Sequence, residues 1–321
     1  ASPSPGMLSD NDMDLQAVAT AIEKLLAAAK INSEEITAAL PESKVFTRVI
    51  DDLPYLSDKE LTSAIRYAAE EFIPIPVDQV ELNWQVLSRT QKPSQTLPGL
   101  NHVQDANTKT VVFVVAAPKN LILKYLKVFT AAGLKPRALE TEIIASTRAL
   151  VGNNPFSPTS LIIQLGGSTT ELAVVSKGLI LLTRSISSGG FALTRAISQQ
   201  FNFELAQAEE YKKVYGLLPD QLEGKVFEAL KSVTNVIIDE TKRVIQAFQT
   251  KNPQNRIKRV VLSGGGAKLP GIVIYFANIL GLEVQEADPW YFVSKDKSMI
   301  SKLTRDGPLY SVAVGLALRQ D

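Results

Sequence analysis

The amino-acid sequence predicts a mixed α/β protein with about two domains. The chain has 321 residues, and at roughly 150 residues per domain this length fits two of them. Hydrophobic residues make up 45% and charged residues 21% of the sequence, a composition that can bury large cores. Some segments place apolar residues at helical spacing, and others are strand-like apolar runs that end at glycine.

The first half of the chain alternates helical and strand patterns. Apolar residues between Asp12 and Lys30 recur every three or four positions, which predicts a helix. Ser57 and Glu60 have the spacing of a capping box, so a second helix begins there and ends before Pro74. The remaining elements predicted in this half are strands at Ile36–Leu40, Lys44–Ile50, Val80–Leu87 and Thr110–Ala117 and a helix at Lys119–Ala132.

In the second half, two predicted strands run directly into glycine clusters. Ser160–Leu165 leads into a Gly/Ser/Thr turn, and Arg259–Leu262 leads into three glycines. Short polar or glycine turns separate the other elements. These are strands at Glu171–Val175, Leu179–Thr183 and Glu283–Ala287, and helices at Phe191–Phe201, Leu205–Val214, Leu222–Thr250, Gly271–Leu280 and Leu309–Arg319.

Composition excludes several classes of function. The formal net charge of +1 argues against nucleic-acid binding through a basic surface. The absence of cysteine excludes disulfides, thiolate metal sites and cysteine nucleophiles. The single histidine, His102, lies in the polar stretch Arg89–Lys109, which we interpret as a flexible loop with a solvated imidazole. No apolar run approaches the roughly 18 residues that span a bilayer, and no secretory signal is visible, so we expect a soluble protein of a reducing compartment.

The two glycine clusters, at Gly166–Thr169 and Gly264–Gly266, are the candidate binding motifs. Without a Cβ atom, backbone N–H groups can approach an anion closely, and serine or threonine hydroxyls add donors. Neither cluster is a P-loop, and neither has the spacing of a dinucleotide fingerprint. Each cluster taken alone is equally well interpreted as a tight hairpin or a helix-entry turn.

The order of these features resembles the actin-like ATPase superfamily. Between the two glycine clusters lies a helix with Glu209 and Lys212 one turn apart, and the last helix carries small residues. The resemblance implies an α/β actin-like fold with two lobes and a small inserted subdomain. Domain 1 is then residues 1–158 with 309–321 and contains the subdomain at about 45–137; domain 2 is 159–308.

Other segments narrow the resemblance to the PilM family of type IV pilus assembly. They are the runs Asp58–Leu61, Ile73–Pro76, Ser188–Thr194 and Ala208–Lys212. The family implies a cytoplasmic scaffold at the inner face of the inner membrane that binds ATP with Mg²⁺ and hydrolyses it very slowly or not at all. The expected partners are the cytoplasmic N-terminal tail of PilN, held in a groove lined by parts of residues 45–137, and other inner-membrane components of the pilus. The membrane is then reached only through partners.

The resemblance also assigns roles to individual residues, all of them cofactor-binding and none catalytic or metal-ligating. The first glycine turn would wrap the β- and γ-phosphates, the Glu209/Lys212 pair would reach ribose and adenine, and the triple glycine would lie against the adenosine. Gln164 stands where the superfamily usually has aspartate, and the loss of that charge should weaken Mg²⁺ binding and water activation. The full set is Gln164, Gly166, Gly167, Ser168, Thr169, Glu209, Lys212, Gly264, Gly265, Gly266 and Lys268.

Some alternatives stay open. Glu209 and Lys212 also have the spacing of an exposed helical salt bridge, worth a few tenths of a kcal/mol. The superfamily's first phosphate hairpin has no match between Ala1 and Leu15, so we expect it to lie upstream of this sequence. A small-molecule kinase of the same superfamily would need a carboxylate base, for which no motif is evident. An FtsA-like filament protein would add an amphipathic helix for the membrane.

Overall fold

The computed structural model describes residues 6–89, 109–152, 154 and 157–320, so His102 and the polar stretch around it lie outside the described residues. The helices are α1 Asp12–Ala28, α2 Asp58–Ala69, α3 Lys119–Ala131, α4 Glu142–Leu150, α5 Gly190–Phe201, α6 Leu205–Tyr215, α7 Lys225–Lys251, α8 Ile272–Leu280, α9 Ile300–Asp306 and α10 Ser311–Ala317. The strands are β1 Glu35–Leu40, β2 Phe46–Pro54, β3 Val80–Arg89, β4 Lys109–Pro118, β5 Lys135–Thr141, β6 Ser160–Leu165, β7 Thr170–Ser176, β8 Leu179–Ile186, β9 Arg259–Ser263 and β10 Glu283–Glu286.

Every helix and strand predicted from the sequence is present, with ends moved by a few residues. The capping box that begins α2 is also confirmed, because the Ser57 backbone N–H donates to Glu60 at 3.0 Å. Three elements lacked a prediction: β5, α4 and α9. Strand β5 contains a proline and two basic residues, and α4 follows it without a loop, with Thr141 as its N-cap, so neither gives a clear pattern in the sequence.

The chain divides into two compact units after Glu140. In the first unit, β1 pairs with β5, and β2, β4 and β3 form an antiparallel sheet with β4 in the middle. Helices α1 and α3 share one core with β1, and α2 packs against the three-stranded sheet through Leu61 and Ile65. The lobe boundaries implied by the resemblance stay a prediction.

The second unit is built on a five-stranded sheet in the order β10-β9-β6-β7-β8. Strands β10, β9 and β6 are parallel, whereas β6, β7 and β8 form an antiparallel meander. One face of the sheet shares a large core with α5, α7 and α8. On the other face, Gln164 of β6 bonds to Ser146 of α4. Helix α10 crosses α4 so closely that a Cβ atom on Gly315 would collide with the Ala145 carbonyl.

None of the helices in the described part of the chain has both the length and the apolar character that a bilayer crossing requires.

Candidate functional site

The sheet of the second unit brings the two glycine clusters together. Strands β6 and β9 are parallel neighbours, and Gln164 of β6 is in register with Ser263 of β9. Both strands therefore end at the same place, and the turns that follow them lie side by side. We call this place, just beyond Leu165 and Ser263, the carboxyl edge. In open α/β sheets, ligands bind beyond the carboxyl ends of parallel strands.

The first turn is clamped by the beginning of α5. The N–H of Gly190 donates to the Gly166 carbonyl at 2.9 Å, and the N–H of Phe191 donates to the Gly167 carbonyl at 2.8 Å. A Cβ atom on Gly189 would lie 2.6 Å from the Gly166 oxygen. Glycine is thus required at position 189, because any side chain there would push the turn away from α5.

The tip of the turn keeps free amide groups. Gly167 and Ser168 are exposed, and in the described part of the chain no backbone acceptor takes either N–H. Successive outward N–H groups of this kind form an anion-binding concavity. The Thr169 hydroxyl, in contrast, is hydrogen-bonded to the carboxyl group of Glu171. The two outward amide groups and the exposed Ser168 side chain are the parts of this turn that are available to a ligand.

In the second turn, Gly264–Gly266, two glycines are closely packed and one is exposed. Gly264 has φ +81°, and a Cβ atom there would lie 2.5 Å from the Leu165 carbonyl oxygen. A Cβ atom on Gly266 would lie 2.6 Å from that of Leu165. Gly265 is exposed, and its nearest neighbour would be a Leu309 methyl at 3.7 Å. Gly264 and Gly266 let the two strand ends approach each other, and Gly265 is the glycine that presents open backbone.

Glu209 and Lys212 form more than a surface ion pair. The Lys212 Nζ atom lies 2.6 Å from Glu209 Oε2, and it also donates to the Gly190 carbonyl at 3.1 Å and to Thr194 Oγ1 at 2.8 Å. Only 12% of the Lys212 side chain is exposed. Burial opposes ionisation of Glu209, but the hydrogen bonds from Lys212 and Thr194 outweigh it and lower the pKa of this carboxyl.

These contacts connect α6 to the clamped turn. An ammonium group has three donors, and all three of Lys212 have acceptors inside the fold. Its role toward a nucleoside stays a prediction, since a contact with ribose or adenine would require one of these bonds to break. Glu209 retains Oε1, which is 3.7 Å from Lys213 Nζ and can still accept from a hydroxyl.

Gln164 is held by α4 at both ends of its amide. Its Oε1 accepts from the Ser146 hydroxyl, and its Nε2 lies 3.5 Å from Glu142 Oε2 as a donor. A neutral side chain in this position can donate to Glu142, which an aspartate could not do. The amide therefore stabilises the α4 packing here.

Glu171 is a buried ionisable residue beside the first turn that sequence reasoning missed. It is the register partner of Gln164 on β7 and is only 3% exposed. Burial raises the pKa of Glu171 to about 7, and the charge of Glu142 adds to this effect, whereas hydrogen bonds from Ser185 and Thr169 oppose it. The sheet register places this carboxyl group beside the first glycine turn, and sequence spacing alone does not show that. Ser263 adds a buried hydroxyl with no hydrogen-bond partner in the described part of the chain.

The remaining predicted residue, Lys268, follows the second turn, with its Nζ 3.6 Å from Glu286 Oε2. Among the described residues, no group of His, Asp and Glu side chains could hold a metal ion. Mg²⁺ is usually held by one or two carboxylates together with substrate phosphates. The residues present fit a phosphate chain, and Mg²⁺ would depend on the phosphates for its ligands.

A second feature lies in the first unit. A cavity of about 770 Å³ is lined by segments 43–46, 75–79 and 118–124, with Leu8 and Asp10. Phe46, Ile75 and Leu121 give it apolar walls, and Lys44 and Lys119 add positive charge. It overlaps residues 45–137, for which the resemblance implies a peptide groove. We call it the unit-1 groove.

Comparisons with known proteins agree with this architecture. The family described as type IV pilus assembly protein PilM matches residues 3–321. A solved structure described as a PilM-PilN type IV pilus biogenesis complex is 28% identical, with a TM-score of 0.80, and the match covers 98% of this chain and 88% of that chain.

Two more distant likenesses agree on the fold. Cell division protein FtsA of Neisseria meningitidis serogroup B is 25% identical over 339 residues, and the match covers 97% of this chain and 79% of that protein. A solved structure described as a MamK double helical filament has a TM-score of 0.51 at 14% identity, and the match covers 98% of this chain and 79% of that chain. At this identity the likeness concerns the fold alone.

Proposed function

This chain belongs to the PilM family of type IV pilus assembly proteins and has an actin-like fold, and from this we propose that it is an ATP-binding scaffold. In this proposal it binds the N-terminal tail of PilN at the cytoplasmic face of the inner membrane. A part in pilus assembly follows from the family itself. The nucleotide, the PilN tail and the location are our inferences.

The observation that carries the nucleotide proposal is the meeting of two glycine turns at the carboxyl edge. Their exposed N–H groups at Gly167 and Ser168 are suited to phosphate oxygens. Gly265 offers flat backbone for a ring or ribose to lie against. Gln164 cannot act as a base, so we expect hydrolysis to be very slow or absent. ATP then acts by changing conformational populations, and Mg²⁺ accompanies it on the phosphates.

Titration of the full chain with a fluorescent ATP analogue tests this proposal. Gly265→Leu should abolish saturable binding because its side chain covers the open backbone, while its Cβ has space in the fold. Thr250→Leu, at an exposed position near the end of α7, is the matched control and should bind like the wild type. Equal binding by both variants would refute the site. Rapid Mg²⁺-dependent phosphate release would refute the expectation of slow turnover.

The unit-1 groove supports the peptide part of the proposal. Extended peptides bind preformed grooves through backbone pairing and through pockets for alternate side chains. The apolar walls at Phe46, Ile75 and Leu121 suit a peptide with apolar side chains. The solved complex that resembles this chain pairs PilM with PilN, and the groove is where we place the same kind of partner here.

Fluorescence anisotropy with a labelled peptide of the PilN N-terminal tail tests the groove. Ser43 is an exposed residue of the lining, so Ser43→Trp should fill the groove without disturbing a core and should abolish binding. Ser63→Trp, exposed on α2 and outside the lining, should bind like the wild type. Undiminished binding by Ser43→Trp would place the peptide elsewhere.

The likeness to FtsA favours one alternative, a filament protein. Sedimentation of the purified chain with ATP and without partners distinguishes the two functions. A pelleting filament would support the alternative, and a supernatant species that binds the PilN peptide supports the scaffold.

A further inference from the structure

A second, separate cavity lies in the second unit, away from the carboxyl edge. It has a volume of about 300 Å³ and is lined in part by Arg259, the first residue of β9. Val261 and Gln285 also line it, and they are register partners on β9 and β10. The cavity therefore opens on one face of the sheet, near the amino end of β9, whereas the glycine turns follow its carboxyl end. Neither the nucleotide proposal nor the PilN proposal uses it.

Arg259 enters this cavity with a partly engaged guanidinium group. Its Nε donates to Ser160 Oγ at 2.9 Å, and Ser160 in turn donates to the Pro158 carbonyl at 2.8 Å. This chain of bonds fixes the plane of the guanidinium. Within the described part of the protein, neither terminal nitrogen of Arg259 has a hydrogen bond or ion pair. The planar fork of terminal N–H groups therefore remains for a ligand.

The rest of the lining divides into polar and apolar parts. Ser157 and Gln285 supply a hydroxyl and an amide, whereas Val151 and Phe292 supply hydrocarbon surface. The Phe292 ring is seated on Gly152, where a Cβ atom would lie 2.9 Å from the ring. A ligand of this cavity therefore needs both a polar head and a short apolar body.

The charges favour a head with a single negative charge. Among the described residues that line the cavity, Arg259 is the one cation. The carboxylate of Asp288, also in the lining, accepts from the Trp290 N–H at 3.0 Å and lies 3.6 Å from Lys295 Nζ, so its charge is partly compensated. A phosphate dianion would require more positive charge than one guanidinium, and a planar carboxylate matches the fork with two parallel hydrogen bonds.

We propose that this cavity binds a small organic carboxylate, with the head group on the Arg259 fork and a short hydrocarbon body against Val151 and Phe292. The volume is at the lower end of the range for small-molecule pockets, which begins at about 300 Å³. This site is independent of the proposed function and stands if either the nucleotide or the peptide proposal fails.

Isothermal titration of the full chain with acetate, butyrate and hexanoate, and with inorganic phosphate, tests the site. Affinity should rise by about fourfold for each added methylene until the cavity is filled. Arg259→Met should weaken butyrate binding by about tenfold or more, because it removes the charged hydrogen bonds. Arg259→Lys keeps a cation but loses the fork, so its affinity for butyrate should lie between those of the wild type and Arg259→Met. Arg256→Met, at an exposed position of the same segment, is the matched control and should bind like the wild type.

Thermal unfolding of each variant establishes that it is folded. If Arg259→Met does not fold, Arg259→Lys and Ser157→Phe still test the proposal. Ser157→Phe should block the cavity by bulk and abolish binding while leaving Arg259 intact. The proposal is overturned by the absence of saturable binding to any carboxylate, by affinity that does not depend on chain length, or by phosphate binding more tightly than hexanoate. It is also overturned if Arg259→Lys and Ser157→Phe both bind like the wild type.

Discussion

The buried carboxyl group of Glu171 makes the stability of this protein depend on pH. Its pKa is about 7 in the folded chain, mainly because burial disfavours the ionised form, against 4.5 for an ordinary glutamate. Since the pKa is raised, the folded state binds the proton more tightly than the unfolded state does. The contribution of Glu171 to stability is fully present below pH 4.5 and is lost as the pH rises through about 7.

The size of this effect follows from the shift. A rise from 4.5 to about 7 corresponds to roughly 3 kcal/mol, at about 1.4 kcal/mol for each tenfold change in proton affinity. Glu171→Gln keeps an acceptor for the Ser185 hydroxyl, which lies 2.9 Å from Oε1 in the wild type, and cannot ionise. We expect the free energies of unfolding of the two proteins to be similar near pH 4.5. Above pH 7 the variant should be more stable, by up to about 3 kcal/mol.

Urea unfolding at a series of pH values between 4.5 and 8, followed by circular dichroism, measures this difference. Glu283→Gln removes an exposed carboxylate from β10 of the same sheet and serves as the control for loss of a charge. Its stability should follow the wild type at every pH. If Glu171→Gln gives a curve parallel to the wild type, Glu171 titrates as an ordinary glutamate and our account of the carboxyl edge is wrong.

Four further substitutions test the packing at the carboxyl edge and between α4 and α10, each by urea unfolding of the full chain. Gly264→Ala should lower the free energy of unfolding by about 1–3 kcal/mol, because position 264 has φ +81° and little room for a Cβ atom. Gly265→Ala should stay within about 0.5 kcal/mol of the wild type. Equal effects of the two substitutions would contradict the distinction between these glycines. Gln164→Asp should destabilise the chain by about 1 kcal/mol or more, since it places a carboxylate near the buried carboxyl of Glu171 and the half-buried one of Glu142. An unchanged midpoint would contradict this. Gly315→Ala should cost about 1–3 kcal/mol because the added Cβ meets the Ala145 carbonyl, and a neutral result would mean that α4 and α10 can separate freely.

Local sequence patterns predict most of the fold, because periodicity and turn residues are local properties. The capping box at Ser57 and the strand that runs into Gly166 are examples. The site itself depends on contacts between distant residues, which a local pattern does not contain. Ser146 reaches Gln164 across 18 positions, and this contact requires α4, a helix that begins directly after β5 without a loop signal.

Lys212 illustrates the same limit at a residue that was correctly singled out. Its spacing from Glu209 predicts an ion pair, and the pair is present at 2.6 Å. The spacing does not predict that Lys212 is buried or that it bonds to the Gly190 carbonyl, since that depends on how α6 packs on α5. The superfamily resemblance assigns Lys212 to the nucleoside, whereas the contacts of this chain connect it to the start of α5, which clamps the first glycine turn.

At the carboxyl edge, most polar side chains are bonded within the fold while backbone N–H groups are exposed. For this reason we expect nucleotide binding without hydrolysis. The polar side chains nearest the first turn have partners within the fold, with the Gln164 amide held by α4 and the Lys212 ammonium held by α5 and α6. In the described part of this turn, the exposed backbone N–H groups at Gly167 and Ser168 and the Ser168 hydroxyl remain as donors for a phosphate. Phosphoryl transfer to water needs a group that positions or deprotonates the water, which backbone amides do not provide. The Glu171 carboxyl lies beside the turn, but it is only 3% exposed and is hydrogen-bonded to Ser185 and Thr169, so it does not face a water at the edge. A nucleotide at this edge would instead act by moving the turn, and the Gly190 and Lys212 contacts would carry that movement into α5 and α6.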